Sequence, residues 1–256
     1  MGLERSRELR PGQPAYRQIA EIMRASIQAG QFAEGDRLPS ETQLMERFGV
    51  ARMTVRAALQ VLQNEGLAVA EHGRGVFVRR RQPFRRRSVQ RLSRGHWGQG
   101  KAMWEADTAA QNRSFTATVE VSRERAPDEI AERLRVPAGT EMIVRRRLHS
   151  VDGQPLQLSA AYLPAEIAAG TAIAEPDTGP GGTYARLDEL GFKLQRFVEE
   201  VQARMPTPDE VRRLALLPGV PVITVTRVAY ASTGPVEVNE IVVNSDLYVL
   251  EYEISA

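Results

Sequence analysis

Arg52, Met53, Thr54 and Arg56 fall within five residues at the start of a helical pattern, and offer two guanidinium forks, a hydroxyl and a soft apolar tip. Such groups bind rather than react, and the forks match the acceptor pairs on base edges and the oxygens of phosphates. In the same segment Val55, Ala58, Leu59 and Leu62 recur at i, i+3, i+4 and i+7. The helix thus combines a buried stripe with a cationic, hydrogen-bonding first turn, the division needed to enter a DNA major groove. Far along the chain Arg145, Arg147 and His149 alternate, which puts all three on one face of a strand and Arg146 on the other. That face suits an anion. Bond-making chemistry is not visible: the C-terminal half has no carboxylate pair, nucleophile–base set or metal constellation. Cysteine is absent, which excludes disulfides and thiolate metal sites, and the histidines at 72, 96 and 149 are too scattered for zinc. No cofactor is expected.

The elements that hold the first set are well marked. Ser40 precedes Glu41-Thr42-Gln43 at capping-box spacing. Leu44 and Phe48 supply an inward face, and Gly49 is a helix stop. An earlier helix carries Tyr16, Ile19, Ala20, Met23 and Ile27 on one stripe. After the third helix comes a two-stranded hairpin pattern whose tip reads His72-Gly73-Arg74-Gly75. Three helices and a hairpin over residues 12–78 read as a winged helix-turn-helix. Pattern alone allows an ordinary three-helix bundle with a solvated basic face equally well. In that bundle Arg56 pairs with Glu46 or Glu65, and His72 merely shapes the wing.

Charge separates the chain into two parts. Residues 1–94 hold 18 Arg, no Lys and 9 acidic residues, a net of +9, whereas residues 95–256 carry a net of −7. A basic N-terminal module implies a polyanion and steeply salt-dependent binding; an acidic C-terminal module suits a sensor. The first dozen residues, ending in Pro11-Gly12, are expected to form a mobile arm. Arg79 to Arg94 contains eight arginines and little apolar content, so residues 79–112 are expected to be a linker and strap. The linker arginines would solvate a hinge and add phosphate contacts beside the wing. Trp97 and Trp104 would either cover a ligand mouth or pin the linker.

Residues 113–256 contain an internal repeat. Pro127-Asp128-Glu129-Ile130 recurs as Pro208-Asp209-Glu210-Val211, 81 residues on; Gly139, Arg147 and Pro155 recur as Gly219, Arg227 and Pro235, 80 residues on. Each copy reads as a short helix, a turn, a strand, a tight turn and a return strand, with a short helix (Thr183–Leu190) and a strand-like stretch (Phe192–Ala203) between the copies. Two such units build one mostly antiparallel sheet with helices on a face, and a cleft between the halves. Arg147 and Arg227 can equally serve the fold as cross-strand partners of Glu199, Glu200 or Glu240.

The N-terminal third resembles the GntR family of bacterial transcription regulators, through LPSE at 38–41, ARMTVRAAL at 51–59, NEGL at 64–67 and GRGVFV at 73–78. The resemblance implies DNA contacts at Arg52, Met53, Thr54, Arg56, His72 and Gly73, with Arg74 on a phosphate. Thr42 stands where the family usually has arginine, and Ala51 where it often has a serine cap. The C-terminal part resembles the UTRA effector domain of the HutC subfamily, similar in fold to chorismate lyase. The runs that carry it are RRRLHSVDGQPLQLSAAYLP (145–164), GGTYARLDELG (181–191) and LLPGVPVITVTRVAY (216–230). It implies effector contacts at Arg145, Arg147 and His149, with Gly182, Thr183 and Tyr184 opposite and Glu237 on polar effector groups. Gly182 replaces a family serine, and Val243 a frequent aromatic.

The expectation is an α+β protein that is not an enzyme: a dimeric repressor released from a double-stranded DNA operator by a small, anionic metabolite. The alternatives are a chorismate-lyase-like enzyme fused to a DNA-binding domain, and a nucleoid-type binder with no effector. No stretch approaches a membrane span and Met1–Arg5 is not followed by a signal-peptide core, so a cytoplasmic location is expected.

Overall fold

Three helices and a hairpin build the N-terminal unit in the computed structural model, which describes residues 9–71, 73–79, 83–87, 92 and 103–252. Helix α1 (Ala15–Gln28) buries Ile19, Ala20 and Met23. Helix α2 (Glu41–Phe48) opens on the capping box: Ser40 Oγ accepts from the Gln43 backbone N–H, and Gln43 Oε1 from that of Ser40. Gly49 closes α2 at φ +64°, a left-handed turn that glycine enters without a Cβ penalty. Helix α3 (Arg52–Asn64) follows and buries Val55, Ala58, Leu59 and Leu62. Strands β1 (Ala68–Glu71) and β2 (Gly75–Val78) form the antiparallel wing. Leu38, Leu44, Ala68 and Val78 complete one apolar core with the helix stripes. Arg10, expected within a mobile arm, has its backbone N–H and C=O bonded to the Gln18 side chain.

A second compact unit begins at Pro83. Its elements are β3 (Phe84–Arg87), α4 (Met103–Ala109), β4 (Phe115–Arg125), α5 (Asp128–Leu134), β5 (Glu141–Val151), β6 (Gln154–Pro164) and α6 (Ala165–Ala168). A 3-10 turn (Ala172–Ala174) precedes α7 (Gly182–Glu189), β7 (Leu194–Arg204), α8 (Pro208–Arg213), β8 (Val222–Ala231), β9 (Gly234–Asn244) and β10 (Tyr248–Glu251). The six-stranded sheet runs β4-β5-β6-β9-β8-β7, antiparallel throughout. The repeat therefore folds as two β-α-β-β copies, β4-α5-β5-β6 and β7-α8-β8-β9, which meet at the central β6/β9 pair. Ala160 faces Glu240 there. These two are the 80-residue equivalents of one another, so the pseudo-twofold axis passes between them.

One face of the sheet packs Met142, Val144, Tyr162, Val228 and Val238 under Ile130, Ala131 and Leu134 of α5. The other face has two coverings. Ile143, Ala161 and Leu163 lie under Ala168, Ile173, Tyr184 and Leu187. Val151, Leu156, Val225, Ile241 and Val243 lie under Phe84, Trp104 and Tyr248. Between these two apolar patches the sheet surface is polar.

The solvated linker expected over 79–94 is corrected at its centre. Residues 84–87 form a strand paired in parallel with β10. Phe84 is buried and stacks on Trp104 at 5.1 Å. Arg86 is fully buried because Glu199, far downstream on β7, takes its charge. Arg85 points outward, with Glu251 at 3.5 Å. The arginines at 80, 81, 91 and 94, together with Trp97, lie outside the described residues. No helix among the described residues is long and apolar enough to cross a membrane.

Candidate functional site

Arg52 and Arg56 occupy the first turns of α3, with side chains 58% and 57% exposed. Met53 between them is 72% exposed. Thr54 is half-buried beside them. Arg56 pairs with neither Glu46 nor Glu65. Its Nε donates to Glu41 Oε1 at 2.8 Å, while Glu65 is held by Arg24 through two hydrogen bonds. At the wing tip, Gly73 has φ +72°. Arg74 pairs with Glu71 and lies over the Phe77 ring. His72 lies outside the described residues.

The polar patch on the sheet floors a cavity of about 290 Å³. Arg145, Arg147 and His149 of β5 line it, as do Gln157 and Ser159 of β6, Arg227 of β8, and Glu237 and Asn239 of β9. The repeat accounts for six of these eight residues. Arg147 and Arg227, Gln157 and Glu237, and Ser159 and Asn239 are equivalents 80 residues apart. Walls come from Trp104 and Phe115 on one side and from the 176–184 segment on the other. His149 stacks on Trp104 at 4.7 Å. Of the two tryptophans read as a strap, Trp104 thus lies in the cavity wall.

The three β5 side chains have different roles. Arg145 was expected to offer its fork to a ligand, but its terminal nitrogens instead donate to the carbonyls of Ile173, Glu175 and Pro176. Burial, with Arg147 nearby, lowers its pKa to about 10. It anchors the loop that leads to α7. Arg147 makes one hydrogen bond, from Nη2 to Thr183 Oγ1 at 3.2 Å, and burial likewise lowers its pKa. Thr183 and Tyr184 stand in the first turn of α7, after Gly182 at φ +69°. That backbone accounts for the glycine where a family serine was expected, since a side chain there would be strained.

Arg227 donates from Nε to Glu199 at 2.7 Å, and Glu199 also accepts from Arg86 and from the Tyr252 hydroxyl. The structural pairing weighed for Arg227 is therefore present, and the same side chain also lines the cavity. Burial opposes the Arg227 charge, but Tyr184 and Glu199 outweigh it and raise the pKa. Tyr184 Oη, Glu237 Oε2 and Asn239 Oδ1 are buried without a hydrogen bond of good geometry. Three such atoms around one cavity are polar groups that a ligand or water there could satisfy.

Burial pushes the Glu237 carboxyl above its usual range, against the pull of Tyr184, Arg147 and Arg227. A carboxyl whose pKa is raised on folding loses stability as pH rises through that value, so the folded protein favours its neutral form. Glu237→Gln should therefore leave the thermal midpoint at neutral pH unchanged or higher. A lower midpoint would mean that Glu237 is charged and paired.

Residues 15–78 match the model of the gntR family of bacterial regulatory proteins, and residues 110–249, more than half the chain, match that of the UTRA domain. The chain belongs to the GntR family. An HTH-type transcriptional regulator of Mycobacterium tuberculosis is 34% identical over 233 residues, covering 88% of this chain and 80% of that protein. The HTH-type transcriptional repressor NagR of Bacillus subtilis is 26% identical over 224 residues, 86% of each chain. A crystal structure assigned to the GntR family superposes with a TM-score of 0.67 at 28% identity, covering 95% of this chain and 98% of the other. This GntR protein is thus a DNA-binding transcription regulator with a UTRA effector domain, a regulatory rather than enzymatic architecture.

Proposed function

We propose that this GntR regulator is a homodimeric repressor of the HutC subfamily, released from a two-fold symmetric operator by a small anionic metabolite. One observation carries the sign of the effector. In and directly behind the cavity, the guanidinium groups of Arg86, Arg145 and Arg227, with Arg147 beside them, outnumber the acidic groups near them: the Glu199 carboxylate, the Glu237 carboxyl that burial holds towards its neutral form, and the exposed Asp177. Buried charge needs compensation, and an anion supplies it. Arg147, Thr183 and the first turn of α7 would take the anionic group, with His149, Gly182, Tyr184 and Glu237 around the rest of the ligand. Repression is the activity named for NagR, and a cytoplasmic location goes with contact to DNA.

Arg52, Met53, Thr54 and Arg56 would enter the major groove of each half-site, with His72, Gly73 and Arg74 at the wing. A C2 dimer presents two such ends about one helical turn apart. The effector acts by binding one conformation of the dimer better than the one that holds DNA. The test is a gel shift on the DNA upstream of the protein's own gene, with anionic metabolites added singly. Release without chemical change of the metabolite is expected; retention with every anion and release by a cation would overturn the proposed charge. Arg52→Ala and Arg56→Ala should each weaken operator binding by roughly 1–3 kcal/mol while the protein stays folded and dimeric. Near-native affinity in both would remove α3 from the DNA.

A further inference from the structure

A single carboxylate holds both arginines of the DNA-reading end. Glu41 is the first residue of α2, set by the Ser40–Gln43 capping box that fixes this helix start. Its Oε1 accepts from Arg56 Nε at 2.8 Å, and its Oε2 lies 3.5 Å from Arg52 Nε. In each arginine, the nitrogen engaged is the inner one of the guanidinium group. The two terminal nitrogens are the pair that forms the fork for guanine O6 and N7. A carboxylate at a helix N-terminus also sits favourably against the helix dipole, so Glu41 has reason to keep this position. It is one-third exposed and carries negative charge to where a polyanion must approach.

We propose that Glu41 is the specificity-determining residue of this surface, a positioning residue that acts through Arg52 and Arg56. It braces both guanidinium groups by their inner nitrogens, so their forks meet base edges without searching for a conformation. It also repels phosphate, so that DNA lacking the matching bases gains little from the two arginines. On operator DNA the base contacts outweigh that repulsion. On random DNA the arginines must leave Glu41 to reach the backbone, and the carboxylate is left facing the phosphates. This inference rests on the proposed reading of Arg52 and Arg56 as DNA contacts.

The test uses the full chain and two duplexes: an operator selected from a random library by the native protein, and a random duplex of equal length. Glu41→Gln is expected to bind random DNA several-fold more tightly and the operator no more tightly, so that the ratio of the two affinities falls about tenfold. A second selection with the variant should return a relaxed consensus at the bases read by Arg52 and Arg56. Both affinities come from one preparation, so any loss of folded protein cancels in the ratio, and Glu41→Asp, whose carboxylate is withdrawn by one methylene, should lower it in the same sense. An unchanged ratio in Glu41→Gln, with Arg52→Ala and Arg56→Ala weakened on the operator, overturns the role of Glu41 alone. Native operator binding by both arginine variants overturns the reading beneath it.

Discussion

Glu199→Ala should destabilise the effector domain by about 3–5 kcal/mol, the cost of breaking a buried ion pair from one side. Glu199 is the shared partner of Arg227 on β8, across from it in the sheet, and of Arg86 on β3. Both guanidinium groups are at most 2% exposed. Removing the carboxylate strands two cations, and Arg86 Nε and Nη1 already have no hydrogen-bond partner. Arg86→Met should be far milder, because Glu199 keeps Arg227 and the new side chain can pack beside Phe84. Calorimetry on the full chain decides between them. A Glu199→Ala transition within a degree or two of the native one would mean that the arginines find other partners or water.

The same carboxylate sets an acid limit. Burial alone would push the Glu199 carboxyl up, yet Arg227 and Arg86 outweigh it and hold it below the usual carboxylate range. A depressed carboxyl pKa contributes stability that is fully present above the unfolded value, about 4.3 for glutamate, and is lost as the pH falls through the folded value. The native domain should therefore weaken below about pH 4 by more than Glu199→Gln does, since in that variant this contribution is already absent.

What could be read from residues alone depended on how local the cause was. Helices α1 to α3 and the wing rest on neighbours in sequence: the Ser40–Gln43 box, the Val55–Leu62 stripe and the stop at Gly49. The two β-α-β-β copies were half legible, because an 80-residue register exposes equivalent turns and hairpins. Edge strand β4 carries no such mark. Parity placed Arg145, Arg147 and His149 on one face, but it could not say that Arg145 would be taken up by carbonyls 28 to 31 residues on. Composition made 79–94 a linker because arginine runs repel. The alternation of Phe84 and Arg86 becomes a strand only when a carboxylate 113 residues away neutralises the second of them. Gln157, Ser159, Arg227 and Asn239 were missed as cavity residues, although carrying Arg147 and Glu237 across the repeat would have reached the first and third.

Arg147→Ala should weaken effector binding by about 2 kcal/mol or more, some thirtyfold, and leave operator binding without effector unchanged. Among the cavity arginines Arg147 is the one whose loss takes least from the fold. Arg145 anchors the 173–176 loop, and Arg227 partners Glu199, so removing either confounds binding with stability. Arg147 contributes one hydrogen bond, to Thr183, in a cavity where Tyr184 Oη, Glu237 Oε2 and Asn239 Oδ1 are buried without a hydrogen bond of good geometry. Its charge is desolvated there, and burial has already lowered its pKa, so a ligand anion would gain from it the strong, charge-assisted kind of hydrogen bond. The variant should therefore hold its operator at effector concentrations that release the native protein, a super-repressor by gel shift and by reporter expression. Thr183→Val should move the release point the same way and less far, since it removes a neutral hydroxyl rather than a charge. If Arg147→Ala folds, dimerises and releases at the native concentration, the effector does not use β5, and the aromatic wall of Trp104, Phe115 and His149 becomes the place to look for it.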